Sequence, residues 1–262
     1  MPRSNVRLGQ HFLTDQAILQ HIVQIIAEQA GDAFVEIGPG EGALTQPLLA
    51  RGHAISAIEL DRALYEKLSD MHPKLQVTHA DALQCDFSQI PAFQEQSVRL
   101  FGNLPYQISA LLMIKLFDYR DAVKSMTFMV QQEVAERIVA KPATSSYGRL
   151  SVMVQAWCQA RIVLTVPPEA FSPPPKVMSS VFVAKPVERP ECVDLDWVLF
   201  AKVVARAFQH KRKQCFGSFK HVLAKADWQA LGFAQTARPT GLSVTDYIAL
   251  TKWLCNHESQ NF

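Results

Sequence analysis

An α/β fold is predicted for this sequence: a largely parallel sheet covered by helices on both faces, followed by a small all-helical domain. Two features carry that expectation. From about residue 15 to 185, short apolar runs of strand length alternate with segments of helical period, the pattern of parallel strands joined by crossover helices. Beyond residue 186 only helical patterns follow. The stretch Lys185-Pro186-Val187-Glu188-Arg189-Pro190 is polar and proline-bearing, a linker that divides the chain into domains of 1–187 and 188–262.

The elements follow in order. Asp15 is placed to cap a helix that carries Ile18, Ile22, Ile25 and Ile26 on one face. Ala33 to Ile37 reads as a buried strand, followed by a glycine turn and a helix over Leu44 to Ala50. His53 to Glu59 is a second strand and Leu75 to His79 a third. Val98 to Phe101, Ser125 to Val130 and Ser179 to Val183 are further strands. In the second domain a helix from Trp197 places Phe200, Ala201, Val204 and Phe208 on one face. Lys202, Arg206, His210 and Lys213 fall opposite, a face suited either to phosphates or to plain solvation.

Composition sets outer bounds. The 262 residues are 48% hydrophobic, ordinary for a globular chain with a sizeable core. No apolar run has the length of a signal peptide or a bilayer span, so a cytoplasmic location is expected. The five cysteines are scattered without metal-ligand spacing, which points to reduced thiols and no metal site. Net charge is +2, but it is unevenly spread: Trp197 to Ala226 holds seven basic residues and no acidic one. Such a surface suits a polyanion.

The chemistry-bearing residues fall at strand ends. Val35-Glu36-Ile37-Gly38-Pro39-Gly40-Glu41-Gly42 closes the first strand, where Gly38, Gly40 and Gly42 let a ligand approach the backbone. The GxGxG spacing differs from the GxGxxG of dinucleotide folds. Glu59 ends the second strand at the position from which a carboxylate binds ribose hydroxyls, with Asp61 a competitor for that role. Asp81 follows the third strand, within reach of an adenine amino group. Together they favour a nucleoside-containing cofactor. Phe101-Gly102-Asn103-Leu104-Pro105-Tyr106 ends the fourth strand. Adenine N6 is a weak nucleophile because its lone pair is delocalised. The Asn103 side-chain oxygen and the Leu104 carbonyl could hold both N6 hydrogens and turn the lone pair toward a sulfonium methyl. Pro105 stiffens the turn, and Tyr106 offers a face for the base, with stacking worth about 1–3 kcal/mol. A plain strand-to-helix turn is the other reading of these residues.

The sequence resembles the KsgA family of bacterial 16S rRNA adenine N6-dimethyltransferases, whose relatives include the Erm 23S rRNA methyltransferases. The resemblance runs through Gly9 to Leu13, Val35 to Gly42, Ile58 to Asp61, Asp81-Ala82, Asn103 to Tyr106, Tyr147 to Val152 and Phe171 to Val177. It implies a Rossmann-like class I methyltransferase sheet dependent on S-adenosylmethionine (SAM), with a helical C-terminal domain that contacts rRNA. It implies SAM contacts at His11, Leu13, Gly38, Glu59, Asp81 and Asn103, and places Phe171 opposite Tyr106 to sandwich the target adenine. The implied reaction is four methyl transfers onto two adjacent adenosines near the 3′ end of 16S rRNA, within the 30S subunit or its precursor, by a monomer that needs neither metal nor membrane. A 23S rRNA or DNA adenine methyltransferase, and a non-enzymatic assembly factor on the same fold, are the competing readings. Two departures stand out: His11 where the family most often has Asn, and Gln209-His210-Lys211-Arg212-Lys213-Gln214 where it is richer in arginine. Lysine keeps the charge but lacks the guanidinium fork.

Overall fold

The computed structural model describes residues 11–27, 33–94 and 97–257; Gly9 and Gln10 lie outside these. The chain opens with β1 (Phe12–Leu13), α1 (Gln16–Ala27), β2 (Ala33–Ile37), α2 (Thr45–Ala50), β3 (Ile55–Glu59), α3 (Arg62–Ser69) and β4 (Leu75–His79). It continues through α4 (Pro91–Gln94), β5 (Val98–Asn103), α5 (Ser109–Lys115), β6 (Val123–Gln131), α6 (Gln132–Val139) and α7 (Arg149–Gln155). Three strands follow, β7 (Cys158–Val166), β8 (Phe171–Ser172) and β9 (Ser179–Pro186), and then α8 (Trp197–Phe208), α9 (Lys225–Ala230) and α10 (Val244–Asn256).

Seven strands form one sheet in the order β4-β3-β2-β5-β6-β9-β7, and β1 pairs with β8 in a separate ribbon. The five strands from β4 to β6 run parallel, while β9 is antiparallel to β6. The sheet is therefore mixed. Strand order reverses between β2 and β5, and in an open sheet that reversal opens a crevice at the carboxyl ends of the strands.

Local sequence explains the elements. The Ile18 amide donates to Asp15 Oδ1 at 3.0 Å, the expected cap. The buried stripe of α1 is Leu19, Ile22, Val23 and Ile26, one step round from the expected Ile18 and Ile25. β3 begins at Ile55, and His53, expected at its start, lies before it with its ring centroid 4.6 Å from that of Phe34. β5 extends to Asn103, so the motif read as a strand-end turn begins within the strand itself. β7 has no counterpart among the expected strands: most of its residues are half-buried or exposed, as suits an edge strand, and leave no strong apolar signal.

Packing divides the described chain into two units. One holds the residues up to Ala135 together with Ala160–Pro186; the other holds Glu136–Gln159 together with the residues from Val187 onward. The expected linker coincides with the Pro186/Val187 division, but 136–159, expected in the first domain, groups with the C-terminal part. Its helix α7 packs on α8. The helix α8 is capped by Asp196, whose side chain accepts from the Leu199 amide at 2.9 Å, and buries Phe200, Val203, Val204 and Ala207. It ends at Phe208, so His210 and Lys213 lie beyond it and do not share its polar face. Arg206 is engaged too: its Nε donates to the Ser218 carbonyl at 2.7 Å. No helix among the described residues is long and apolar enough to cross a membrane.

Candidate functional site

The crevice at the ends of β2, β3, β4 and β5 is a cavity of about 250 Å³. At the end of β2 the chain turns through Gly38, whose amide donates to the Ile58 carbonyl at 2.9 Å. Gly40 has φ +58°, and a Cβ there would stand 3.2 Å from the Phe12 ring. Glycine thus lets this turn close against β1 without a side chain intruding. The Gly40 amide donates to Glu59 Oε2 at 3.0 Å and the Asp61 amide to Glu59 Oε1 at 2.8 Å. Glu59 is 3% exposed and lines the cavity. Asp61 serves elsewhere, capping α3 by accepting from the Ala63 and Leu64 amides, and is absent from the cavity wall. Of the two carboxylates, it is Glu59 that lines the cavity. Asp81 lines the cavity and accepts from the Leu83 amide at 2.8 Å.

Across the crevice stands Asn103. Its Nδ2 donates to the His11 carbonyl at 3.0 Å. A carbonyl only accepts, so the amide group is fixed with its NH2 toward His11 and its Oδ1 turned away as an acceptor. The same logic fixes His11: Nδ1 lies 2.7 Å from the Pro173 carbonyl and must carry the hydrogen. Leu104 is anchored through its amide to the Met129 carbonyl at 3.0 Å. Just before Asn103, Gly102 has φ +154°, and a Cβ there would fall 2.3 Å from the Ile37 carbonyl oxygen. Only glycine lets β5 and the end of β2 lie this close. Tyr106 is half-buried, its hydroxyl 2.8 Å from Ser179 Oγ. Burial pushes its phenol above the ordinary range, so the ring is neutral. The imidazole of His11 lies 5.7 Å from the Tyr106 ring, tilted by 30°.

Two titratable groups in this wall, Glu36 and Glu41, are not among the residues singled out from the sequence. Glu36, 1% exposed, lines the cavity and accepts from Thr45 Oγ1 at 2.5 Å. Burial first, opposed by the Thr45 hydrogen bond and reinforced by the negative Glu59, pushes its carboxyl up to about 8.

The structure brings together His11, Leu13, Gly38, Gly40, Glu59, Asp81, Asn103, Leu104, Pro105 and Tyr106 on one cavity wall. Phe171 is not there. It is 4% exposed, part of the apolar core with Leu13 and Leu19, and does not line the cavity. Its backbone pairs with Leu13 in the β1–β8 ribbon, which holds it in the core. The expected sandwich with Tyr106 is therefore not formed in this conformation. Ser179, Leu60 and Met129 also belong to the site without having been expected there. Ser179 had no findable signal, being 73 residues from the tyrosine it contacts; Glu36 did have one, as a lone carboxyl within an apolar strand. No cluster of His, Cys, Asp and Glu suited to a metal occurs among the described residues.

A family model described as Ribosomal RNA adenine dimethylase matches residues 1–256. The chain is 44% identical to the Ribosomal RNA small subunit methyltransferase A of Idiomarina loihiensis, over 97% of this chain and 89% of that one. It is 41% identical to the protein of the same name from Proteus mirabilis, over 96% and 94%. Among solved structures it is similar to a dimethyladenosine transferase from Plasmodium falciparum, with a TM-score of 0.76 and 24% identity over 94% of this chain and 98% of that one. It is also similar to the 23S rRNA methyltransferase ErmE, with a TM-score of 0.66 and 24% identity over 93% and 99%. These likenesses show the fold, a Rossmann-like sheet of the class I methyltransferase kind.

Proposed function

The chain belongs to the ribosomal RNA adenine dimethylase family, and from that premise we propose that it methylates N6 of two adjacent adenosines near the 3′ end of 16S rRNA, using SAM. We place it in the cytoplasm as a monomer that acts on the 30S subunit or its precursor. The observation that carries the reading is the Asn103 amide, held by the His11 carbonyl so that Oδ1 is left to accept from a base at the cavity.

The residues fit such a cofactor. Glu59 and Asp81 supply acceptors for ribose hydroxyls and an adenine amino group, while Ile58, Leu60, Ala82 and Ile108 supply apolar surface beside them. When bound, SAM supplies an electrophilic methyl carbon. The protein's part is positioning. Asn103 Oδ1 and the Leu104 carbonyl would accept the two N6 hydrogens and so direct the nitrogen lone pair toward the methyl donor. Tyr106, held by Ser179, gives the base a flat face. No general base is needed, because the amine becomes strongly acidic once it is methylated.

Incubation with labelled SAM and 30S particles lacking the modification tests the reading. Label is expected on N6 of adenosines in those particles and not in 50S particles or duplex DNA; no label above background in the 30S arm rejects it. RNA contact is a second test. Replacing Lys211, Arg212 and Lys213 by Ala removes three exposed charges, one of them bonded through Nζ to the Ser145 carbonyl. The slope of log affinity against log salt is expected to fall in magnitude by roughly 2. An unchanged slope marks the cluster as a solvated surface.

A further inference from the structure

Among the described residues, the cavity wall carries four carboxyl groups, Glu36, Glu41, Glu59 and Asp81, and no lysine or arginine. That lining favours a cation. The four differ in what they contact. Glu59 receives two backbone amides, one on each oxygen. Glu36 is as deeply buried and receives the Thr45 hydroxyl at its Oε2. A buried carboxylate with so little compensation is costly, and it either takes a proton or meets a positive charge.

We propose that Glu36 determines the charge specificity of this cavity, giving up its proton as a cationic sulfonium enters and so favouring the methyl donor over the neutral thioether left after transfer. The inference rests on the SAM-dependent reading above. Its geometry follows from strand order: Glu59 and Asp81, on β3 and after β4, mark the nucleoside end, which leaves the opposite end of the ligand toward β2 and Glu36. The balance is simple. The Glu36 O–H bond breaks, its electron pair stays on oxygen, and the proton passes to bulk buffer. Before the sulfonium arrives, a protonated Glu36 avoids a second buried negative charge beside Glu59. After transfer the sulfur is neutral, Glu36 takes a proton back, and the thioether is held less tightly. The titratable groups that share the cavity are Glu59 on β3, Glu41 in the glycine turn, Asp81 after β4, His11 next to β1 and Tyr106 after β5.

Calorimetry in buffers of different ionisation enthalpy counts the protons released on binding. The full chain is titrated at pH 7–7.5 with SAM and, separately, with S-adenosylhomocysteine. The two ligands share the same α-amino group, so the difference between their proton counts isolates the effect of the sulfonium. SAM is expected to release about half a proton or more beyond the thioether. The preference for SAM should rise with pH, by about tenfold between pH 6.5 and 8, because only the ionised carboxyl attracts the sulfonium. In Glu36→Gln the difference in proton count should vanish and the preference should shrink about tenfold. Equal proton counts for the two ligands in the wild-type chain overturn the proposal, whether or not the variant folds. A difference that survives in Glu36→Gln also overturns it, assigning the proton to another group such as His11. If neither ligand binds, the SAM-dependent reading itself falls, a result distinguishable from binding without differential proton release.

Discussion

Replacing Asn103 by Ala is expected to slow methyl transfer by about a hundredfold to a thousandfold, with SAM binding still measurable. The amide makes one fixed bond, to the His11 carbonyl, and its oxygen is what remains to grip the N6 hydrogens. Truncation removes that grip from the reacting state, while Glu59, Asp81 and the glycine turn still line the cavity. Single-turnover rates on 30S particles, set beside a calorimetric Kd for SAM, separate the two effects. Undiminished turnover would strip Asn103 of this role. A large loss of SAM affinity would make it chiefly a cofactor ligand.

Gly102→Ala should be the most damaging single methyl group in the sheet. The new Cβ would meet the Ile37 carbonyl oxygen at 2.3 Å, at a φ of +154° that side-chain-bearing residues rarely adopt. Neither backbone can yield easily, since Gly102 pairs with Phe128 in β6 and Ile37 with Ile58 in β3. Overpacking and backbone strain together cost about 3–5 kcal/mol, a fall in Tm on the order of 10 °C. Thermal unfolding followed by circular dichroism checks this. A Tm within about two degrees of the parent would mean that the strand ends are far softer than their hydrogen bonding suggests. Activity should fall with stability, because Asn103 is the next residue and small misplacements at a reacting centre cost rate steeply.

Much of this architecture is written locally. The parallel strands are legible because burial on both faces makes them mostly apolar, as in Phe34 to Ile37, interrupted by Glu36, and Val98 to Phe101, interrupted by Arg99. The cavity wall is legible because its residues are tied to strand ends by short range: glycines after β2, Glu59 closing β3, Asp81 after β4. What is illegible depends on distant pairing. The half-exposed edge strand β7 owes its conformation to a neighbour, not to its own pattern. Family resemblance places Phe171 at the reacting base, whereas its pairing with Leu13 draws it into the core. Glu59 is favoured over Asp61 in sequence by its place at the strand end, but the separate task of Asp61, capping α3, becomes visible only in the structure.

The grouping of 136–159 with the C-terminal segment bears on how the protein can be cut. A chain ending at Pro186 would look like a clean catalytic half, since the linker falls there. It would nonetheless strand α7 without α8, and leave Tyr147 without the Phe208 ring that lies 6.4 Å from it. Dissection of this enzyme into independent halves therefore has no single place for the scissors: the smaller body is stitched from two lengths of chain, and the stretch that joins them in sequence belongs to the larger one.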